Sequence, residues 1–166
     1  MHLIIDGYNV IRRSPRLSQL DAQDLERGRE ALLELLGAYR RRRWQHTVTV
    51  VFDGWGAGEY QESRDLYRGM TVIFSRRGER ADEVIKRLLA RERGRAVVVS
   101  SDRDLQAAAE RVGAVWVTAG EFERRCLAAD MEEEETYLGE GRTTKKGPAR
   151  RAPKRQRQRQ QRLRKL

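Results

Sequence analysis

The chain has 166 residues, of which 39% are hydrophobic and 36% are charged, and its formal net charge is +10. This length accommodates one domain with its own core and a short additional segment, and it excludes a second full-sized domain. The only cysteine, Cys126, excludes an intramolecular disulfide and favours a reducing, cytoplasmic location. Because no apolar run is long enough for a signal peptide or a membrane span, we expect no membrane association.

The positive charge is concentrated at the C-terminal end. Residues 142–166 contain 12 Lys and Arg and no acidic residue, whereas residues 1–141 contain 23 basic and 25 acidic residues. A segment of charge without apolar periodicity cannot bury a core, so we expect it to be disordered or extended when free. The sequence therefore predicts a folded domain over 1–130, an acidic linker over 131–141 and a basic tail over 142–166.

The first half of the chain alternates strand and helix signals. An apolar run predicts a strand over about His2–Asp6, and leucines near a 3.6-residue period predict a long helix over Asp21–Arg43. A second apolar run predicts a strand over His46–Asp53. The stretch Gly54–Gly69 is rich in glycine and polar residues, which is typical of a long loop.

The second half continues this alternation. Three short apolar runs predict strands at Met70–Phe74, Ala96–Ser100 and Ala114–Thr118. Helical periodicity predicts helices at Ala81–Arg93, Leu105–Val112 and Glu121–Ala129. Strands that alternate with helices predict the α/β class, with a mainly parallel sheet covered by helices on both faces.

Three of the apolar runs are followed by an aspartate, at Asp6, Asp53 and Asp102. The carboxyl ends of parallel strands meet at one edge of the sheet, where open α/β sheets place their active sites. Asp82 lies in the first turn of a predicted helix, while Asp102 and Asp104 would open the next one. Adjacent strand ends lie about 5 Å apart, so these groups can converge on one small volume.

Such a cluster requires a compensating charge. Two carboxylates about 4 Å apart repel each other by roughly 4 kcal/mol at an effective dielectric constant near 20. Oxygen ligands without His or Cys favour Mg²⁺ or Mn²⁺ over zinc. Such ions activate water and stabilise the oxygens of a phosphodiester displacement. The strongest constellation comprises Asp6, Asn9, Asp82, Asp102 and Asp104, with Asp53 as an outer candidate.

Each aspartate also has a purely structural interpretation. Asp102 and Asp104 can cap a helix, and Asp82 near a helix start complements the helix dipole. Asp53 followed by glycine is common in turns. Caps do not explain Asp6, which ends an apolar strand and is followed by Gly-Tyr-Asn.

Three segments, Ile4–Val10, Arg80–Ile85 and Val99–Leu105, resemble the signature blocks of the NYN domain, in the same order along the chain. The chain is similar in particular to the YacP-like branch of the PIN-like nuclease superfamily, over about residues 1–130. The resemblance implies a PIN-like three-layer α/β/α sandwich and metal-dependent cleavage of RNA.

The resemblance also implies roles for single residues. By position in the blocks, Asp6, Asp82 and Asp102 match the acidic metal-site positions, and Asn9 matches the polar residue of the first block. Asp104 is expected as an extra ligand or as a residue that orients water. Asp53 matches a family site position poorly, and we expect a structural or outer role for it.

The leading hypothesis is a Mg²⁺- or Mn²⁺-dependent endoribonuclease that acts on mRNA or rRNA, and the resemblance implies the ribosome as a further partner. Arg76, Arg77 and Arg80 would hold phosphates at the rim of the site, or form a solvated loop. The basic tail would anchor RNA or the ribosome. Its candidate contacts are Lys145, Lys146, Arg150, Arg151, Lys154 and Arg155.

Two alternatives stay open at this point. One is an RNA- or ribosome-binding adaptor with an inactive PIN-like site. The other is a phosphatase with an aspartyl-phosphate intermediate, which ranks last because that chemistry normally places a second acid where this chain has Tyr8. The sequence leaves open the RNA that is cut, the number of metals, the end chemistry of the products and the oligomeric state.

Overall fold

The computed structural model describes residues 1–54, 61–126 and 160–165. Within these ranges, the strands are β1 (His2–Asp6), β2 (Thr47–Phe52), β3 (Ser63–Tyr67), β4 (Met70–Phe74), β5 (Ala96–Val99) and β6 (Val115–Val117). The helices are α1 (Gly7–Arg13), α2 (Pro15–Gln23), α3 (Leu25–Arg42), α4 (Ala81–Glu92) and α5 (Arg103–Arg111). A 3₁₀ turn at Arg93–Arg95 follows α4, and residues 119–126 are helical.

The six strands form one sheet in the order β3-β4-β2-β1-β5-β6. All neighbouring pairs are parallel except β3 and β4, which are antiparallel. In the centre, Ile5 lies between Val50 of β2 and Val99 of β5. Asp6 therefore ends a central strand, with the carboxyl ends of β2 and β5 on either side of it.

Helices cover both faces of the sheet. The connection from β1 to β2 and the connection from β4 to β5 run in opposite directions across the sheet, and right-handed crossovers place their helices on opposite faces. Helices α4 and α5 pack on Ile4, Val51, Ile73 and Val98, which belong to one apolar cluster. The predicted α/β/α sandwich with a mainly parallel sheet is confirmed.

The region between β1 and β2 differs from the prediction of a single helix over Asp21–Arg43. It contains three helices, because α1 begins directly after β1 and α2 precedes α3. Ser14 Oγ accepts the Leu17 N–H at 3.3 Å and Pro15 occupies the first turn of α2, a Ser-Pro start signal that the hydrophobic periodicity does not register. Asp24 then ends α2 and caps α3, where its Oδ1 accepts the Glu26 N–H at 2.8 Å.

The prediction of an uninterrupted loop over Gly54–Gly69 is wrong for its second half. Residues 63–67 form the edge strand β3, in which Ser63 pairs with Phe74 and Tyr67 with Met70. Its residues are mostly exposed, so the strand has no apolar alternation for sequence reasoning to detect. Residues 55–60, with Trp55 and Tyr60, lie outside the described part of the chain.

The chain divides into two compact units, Met1–Phe122 and Glu123–Leu166. In the second unit, residues 160–163 form a helical turn where extended or disordered chain was expected, and Arg125 Nη1 donates to the Leu163 carbonyl oxygen at 2.6 Å. The acidic linker and the tail up to residue 159 lie outside the described residues. No helix in the described ranges has the length and hydropathy that a bilayer crossing requires.

Candidate active site

Asp6 lies at the centre of the carboxyl edge of the sheet. Side chains alternate along a strand, so Asp6 lies on the same face as Ile4, which packs under α4 and α5. Its Oδ1 accepts the Asn9 N–H at 3.3 Å and its Oδ2 accepts the Ser100 hydroxyl at 2.9 Å. The carboxylate caps α1 and is held in one orientation by both contacts.

The environment of Asp6 disfavours its charged form. Burial raises the pKa of this carboxyl to about 6, against the opposing hydrogen bonds from Ser100 and Asn9. The negative charges of Asp82 and Asp53 contribute to this rise. Because a cation would favour the ionised form, this carboxylate is a natural position for one.

Asp82 lies in the first turn of α4 and is part of the same electrostatic cluster. Its pKa is raised chiefly by burial, and Asp102 and Asp53 raise it further. Arg80 acts in the opposite direction, with its Nη2 placed 2.9 Å from Asp82 Oδ2. The structure therefore brings the charges of Asp6, Asp82 and Asp102 close enough to interact, with Asp53 among them.

Asp53 has a defined structural role. Its Oδ1 accepts the Ala81 N–H at 2.7 Å. The N-cap residue of α4, Arg80, makes no side-chain capping bond, so Asp53 supplies the cap from the end of β2. This contact agrees with the expectation of a structural role and explains why the residue still lies beside the acidic cluster.

Asp102 and Asn9 both make structural contacts. Asp102 Oδ1 caps α5 by accepting the N–H groups of Asp104 at 2.6 Å and Leu105 at 3.4 Å. Asn9 Oδ1 accepts the Ser101 N–H at 2.8 Å, which fastens α1 to the end of β5. Asn9 thus directs its amide oxygen to the backbone.

Asp104 lies in the first turn of α5 and is exposed. The pKa of Lys86 on α4 is raised first by its hydrogen bond to Glu83, and the charges of Asp82 and Asp104 contribute to the shift. Asp104 therefore lies toward α4 at the outer rim of the cluster.

Ser100 is a site residue that the sequence did not single out. Its hydroxyl donates to Asp6 Oδ2, and its Oγ accepts the Asp102 N–H at 3.1 Å. The side chain is buried and lies two residues after Val98, on the face that carries Asp6. Its position directly after a buried strand could have identified it in the sequence, although a single serine adds nothing to the hydrophobic periodicity.

Two glycines permit the close packing of this edge. A Cβ on Gly54 would lie 1.9 Å from the carbonyl oxygen of Ser75, and a Cβ on Gly7 would lie 2.3 Å from Phe52 Cε1. Gly7 begins α1, and the close approach of Phe52 leaves no room for a Cβ there.

The donor chemistry of the cluster fits a hydrated divalent cation. In the described part of the chain, no three His, Cys, Asp or Glu side chains are grouped tightly enough to ligate one ion together. Mg²⁺ usually keeps several waters and takes one or two carboxylates from the protein. The set offers only oxygen ligands, which suit such an ion and do not suit zinc. The raised pKa values of Asp6 and Asp82 show that their surroundings disfavour the charged carboxylates, which a cation would stabilise.

Beside Asp82, an open cleft of about 750 Å³ is lined by Arg76, Arg77, Arg80 and Arg87. Three of these arginines are ion-paired: Arg76 with Glu79 at 3.4 Å, Arg80 with Asp82 at 2.9 Å, and Arg87 with Glu62 at 2.6 Å. Of the carboxylates that the structure describes, none lies within 4.0 Å of Arg77. The predicted tail contacts between Lys145 and Arg155 lie outside the described residues.

A mainly parallel α/β/α sandwich with acidic side chains at its carboxyl edge defines the class, a PIN-like nuclease domain. Within this class the chain belongs to the YacP-like NYN domain family, whose model matches residues 3–165. PIN-like nucleases generally use divalent metals, which agrees with the donor set at Asp6 and Asp82.

Known relatives agree with this assignment. The chain is 33% identical over 86 residues to the uncharacterized protein YacP of Bacillus subtilis strain 168, a match that spans 52% of this chain and 49% of that relative. It is also similar to two crystal structures of Rae1 (YacP) from Bacillus subtilis, both with a TM-score of 0.66. One, a mutant, is 28% identical with 81% of this chain and 79% of that chain covered; the other is 29% identical with 82% and 79% covered.

Proposed function

We propose that the chain is a Mg²⁺- or Mn²⁺-dependent endoribonuclease. The observation that carries the proposal is the convergence of acidic groups on Asp6, whose carboxylate is buried, oriented by two hydrogen bonds and raised in pKa to about 6. Burying a carboxylate in surroundings that disfavour its ionised form lowers the stability of the folded protein. The same arrangement favours the binding of a cation, which stabilises the ionised form.

Asp6, Asp82 and Asp102 would hold the ion in part through its bound waters, since they are not grouped tightly enough for three direct ligands, with Asp104 at the rim as an extra ligand or as a residue that orients water. When bound, the ion would supply Lewis-acid stabilisation of the phosphodiester oxygens and a more acidic water. The chain's own residues prepare the site. Ser100 and the Asn9 backbone hold Asp6 in place, and Asp53 fixes the start of α4 so that Asp82 faces the cluster.

The substrate would be RNA, with mRNA as the main class, and the ribosome would be a partner in the cytoplasm. Arg77 is the cleft arginine best placed to take a phosphate, since Arg76 and Arg80 already pair with carboxylates. RNA phosphates would compete for those two as the strand enters. The basic tail would add non-specific attraction for the same polyanion.

The deciding experiment incubates the purified full chain with a mixed RNA pool, with Mn²⁺ and with excess EDTA, beside the Asp6→Asn variant. We expect cleavage with metal by the native chain and by the Asp53→Asn variant, and none by the Asp6→Asn variant or in EDTA. The Asp53→Asn variant serves as the matched control, because its amide oxygen can still accept the Ala81 N–H while the charge is removed. Undiminished cleavage by a folded Asp6→Asn variant, or cleavage in EDTA, would overturn the proposal.

An adaptor with an inactive site is the second candidate, and one observation favours it. Asp102 Oδ1 is engaged by two backbone N–H groups, and Asp82 Oδ2 is paired with Arg80, so two of the three proposed ligands already have protein partners. An adaptor would bind RNA with equal affinity in the native and Asp6→Asn forms and would cut it in neither.

A further inference from the structure

A second basic surface lies at the opposite end of the sheet from Asp6. We call it the α3 basic patch and define it by Arg40, Arg41, Arg43, Trp44 and Arg68. The end of α3 immediately precedes β2, and the turn after β3 immediately precedes β4. Both elements therefore lie where the parallel strands begin, about 17–20 Å of strand length away from the acidic edge.

The turn that carries Arg68 packs against the last turns of α3. Arg68, in the turn between β3 and β4, has a φ of 48°, and its guanidinium carbon lies 5.2 Å from the ring centroid of Tyr67. A Cβ on Gly37 of α3 would lie 3.0 Å from Arg68 Cδ, and a Cβ on Gly69 would lie 3.9 Å from Arg40 Nη2. The Arg68 side chain therefore lies against the backbone of α3 at Gly37, and the Arg40 side chain lies near the backbone of the turn at Gly69.

None of the described carboxylates neutralises the charges of this patch. In the described part of the chain, no carboxylate oxygen lies within 4.0 Å of the guanidinium groups of Arg40, Arg41, Arg43 or Arg68. Cations in the last turn of a helix stabilise its dipole by about 0.3–1 kcal/mol each, and the effect is confined to that turn. Arg68 is outside α3, so the helix dipole does not explain its position beside Arg40.

The patch also contains an exposed aromatic ring. Trp44 follows the end of α3 and is 68% exposed, one of the most exposed large hydrophobic residues among those described. Arginines bind phosphates with bidentate geometry, and an exposed indole stacks on unpaired bases. A membrane surface would require a broad apolar face, which a single tryptophan beside arginines does not provide.

We propose that the α3 basic patch is a second RNA-binding site, which holds the phosphates of an unpaired segment through Arg41, Arg43 and Arg68 and stacks a base on Trp44. The site rests on the proposed function in that RNA is taken as the substrate. Because it lies across the sheet from the acidic edge, only an RNA long enough to pass from one end of the sheet to the other contacts both sites.

The test compares the full chain with a triple variant, Arg41→Gln, Arg43→Gln and Trp44→Ala. The matched control is Arg91→Gln with Arg95→Gln, which removes the same charge from arginines that are ion-paired with Glu92. Binding of a long, unstructured oligouridylate is measured by fluorescence anisotropy in EDTA, over a range of salt concentrations. Circular dichroism and thermal melts verify that both variants fold.

The triple variant is expected to bind oligouridylate about tenfold more weakly than the native chain in moderate salt. Its slope of log affinity against log salt is expected to be smaller in magnitude by about 1.4, since two phosphate contacts are lost at roughly 0.7 each. The control is expected to keep the native affinity and slope. Equal affinity and slope for the triple variant and the native chain would overturn the proposal. Loss of binding to anionic vesicles with unchanged RNA binding would also overturn it and would assign the patch to membranes.

A cleavage assay separates this proposal from the nuclease proposal. With Mn²⁺, the triple variant should cleave a dinucleotide as well as the native chain and should show a higher KM for the long RNA only. If no form of the chain cleaves RNA, the nuclease proposal fails while the anisotropy titration still decides the patch. If the native chain cleaves and the triple variant has the same KM for the long RNA as the native chain, the patch proposal fails alone.

Discussion

The two ends of the sheet carry opposite charges in different environments. At the carboxyl edge, the charge of Asp82 raises the pKa of Asp6 and the charge of Asp102 raises that of Asp82, and most arginines nearby are paired with carboxylates. At the amino edge, the arginines of the α3 basic patch have no carboxylate partner among the described residues. One end therefore concentrates negative charge around a buried group, while the other presents positive charge to solvent.

Part of this separation follows from the topology. In a parallel sheet with helical crossovers, helices begin near the carboxyl edge and end near the amino edge. The helix dipole favours acids at helix starts and bases at helix ends, which is where Asp82, Asp102 and the arginines after Tyr39 lie. The helix dipole does not explain the burial of Asp6 or the position of Arg68. These are the two features to which we assign binding roles.

The largest expected effect tests the acidic end. Asp6→Asn should reduce Mn²⁺-dependent RNA cleavage by about 10³-fold, since one preorganised charged group at a reacting centre is removed. In the folded protein Asp6 has a pKa of about 6, above its unfolded value of 3.8. The folded state therefore binds this proton more tightly, and the unfolding free energy of the protein falls by roughly 3 kcal/mol at most as pH rises between these two values.

The same variant should therefore melt at a higher temperature than the native chain at pH 7.5, with the difference disappearing near pH 4. Thermal melts without metal at both pH values check this pattern. A variant that is destabilised at both pH values would show that the carboxylate serves folding and not binding.

The next effect concerns the packing of the acidic edge. Gly54→Ala places a Cβ 1.9 Å from the Ser75 carbonyl oxygen, so the backbone must shift, at a cost of about 1–3 kcal/mol in unfolding free energy. Gly120→Ala is the control, because no heavy atom of the described residues lies within 4 Å of its added Cβ. Urea denaturation measures both. An unchanged midpoint for Gly54→Ala would mean that this edge is loosely packed, contrary to its role as a rigid site.

A smaller effect concerns Ser100. Its hydroxyl stabilises the charged form of Asp6, so Ser100→Ala should raise the pKa of that carboxyl further. Protons compete with cations for Asp6, so Mn²⁺ binding should weaken as pH falls through about 6 in the native chain. The midpoint should lie about 0.5–1 pH unit higher in the variant. Ser100→Thr should restore the native midpoint in a calorimetric titration series, and a merely structural serine would leave the midpoint unchanged in all three proteins.

The smallest effect concerns the ion pair at the rim. Arg80 lies 2.9 Å from Asp82 and is 77% exposed, so its pairing is weak and competes with a metal for the same oxygen. Arg80→Gln should strengthen Mn²⁺ binding about two- to fivefold. Arg77→Gln removes the same charge without removing a carboxylate partner and should change the affinity less. An equal increase in Mn²⁺ affinity in both variants would show that the overall positive charge of the cleft, and not the ion pair with Asp82, weakens Mn²⁺ binding.

Several features were predictable because the signal is local. The apolar runs that became β1, β2, β4, β5 and β6 each identify a strand without knowledge of its neighbours, and the aspartates after them inherit a position at the carboxyl edge. Asp6 and Asp102 were assigned for this reason and Asp82 from its place in the first turn of a predicted helix, and the structure places their charges within interacting range.

Other features were not predictable because their cause is distant in sequence. Strand β3 is polar and exists through its pairing with β4, and α1 begins at a Gly-Tyr-Asn sequence that is equally typical of a turn. The contact between Asp53 and the Ala81 N–H joins two elements that become neighbours only when the sheet forms.

The sequence by itself determined the α/β class, the family and the set of acidic residues at one edge, since hydrophobic periodicity and short motifs depend on adjacent residues. The tertiary structure alone decided which of those acids caps a helix, that Ser100 orients Asp6, and that Arg68 joins the end of α3 in one basic surface. These assignments depend on burial and on contacts between separate elements, because a carboxylate or guanidinium acquires its pKa and its partners from the groups that folding places around it.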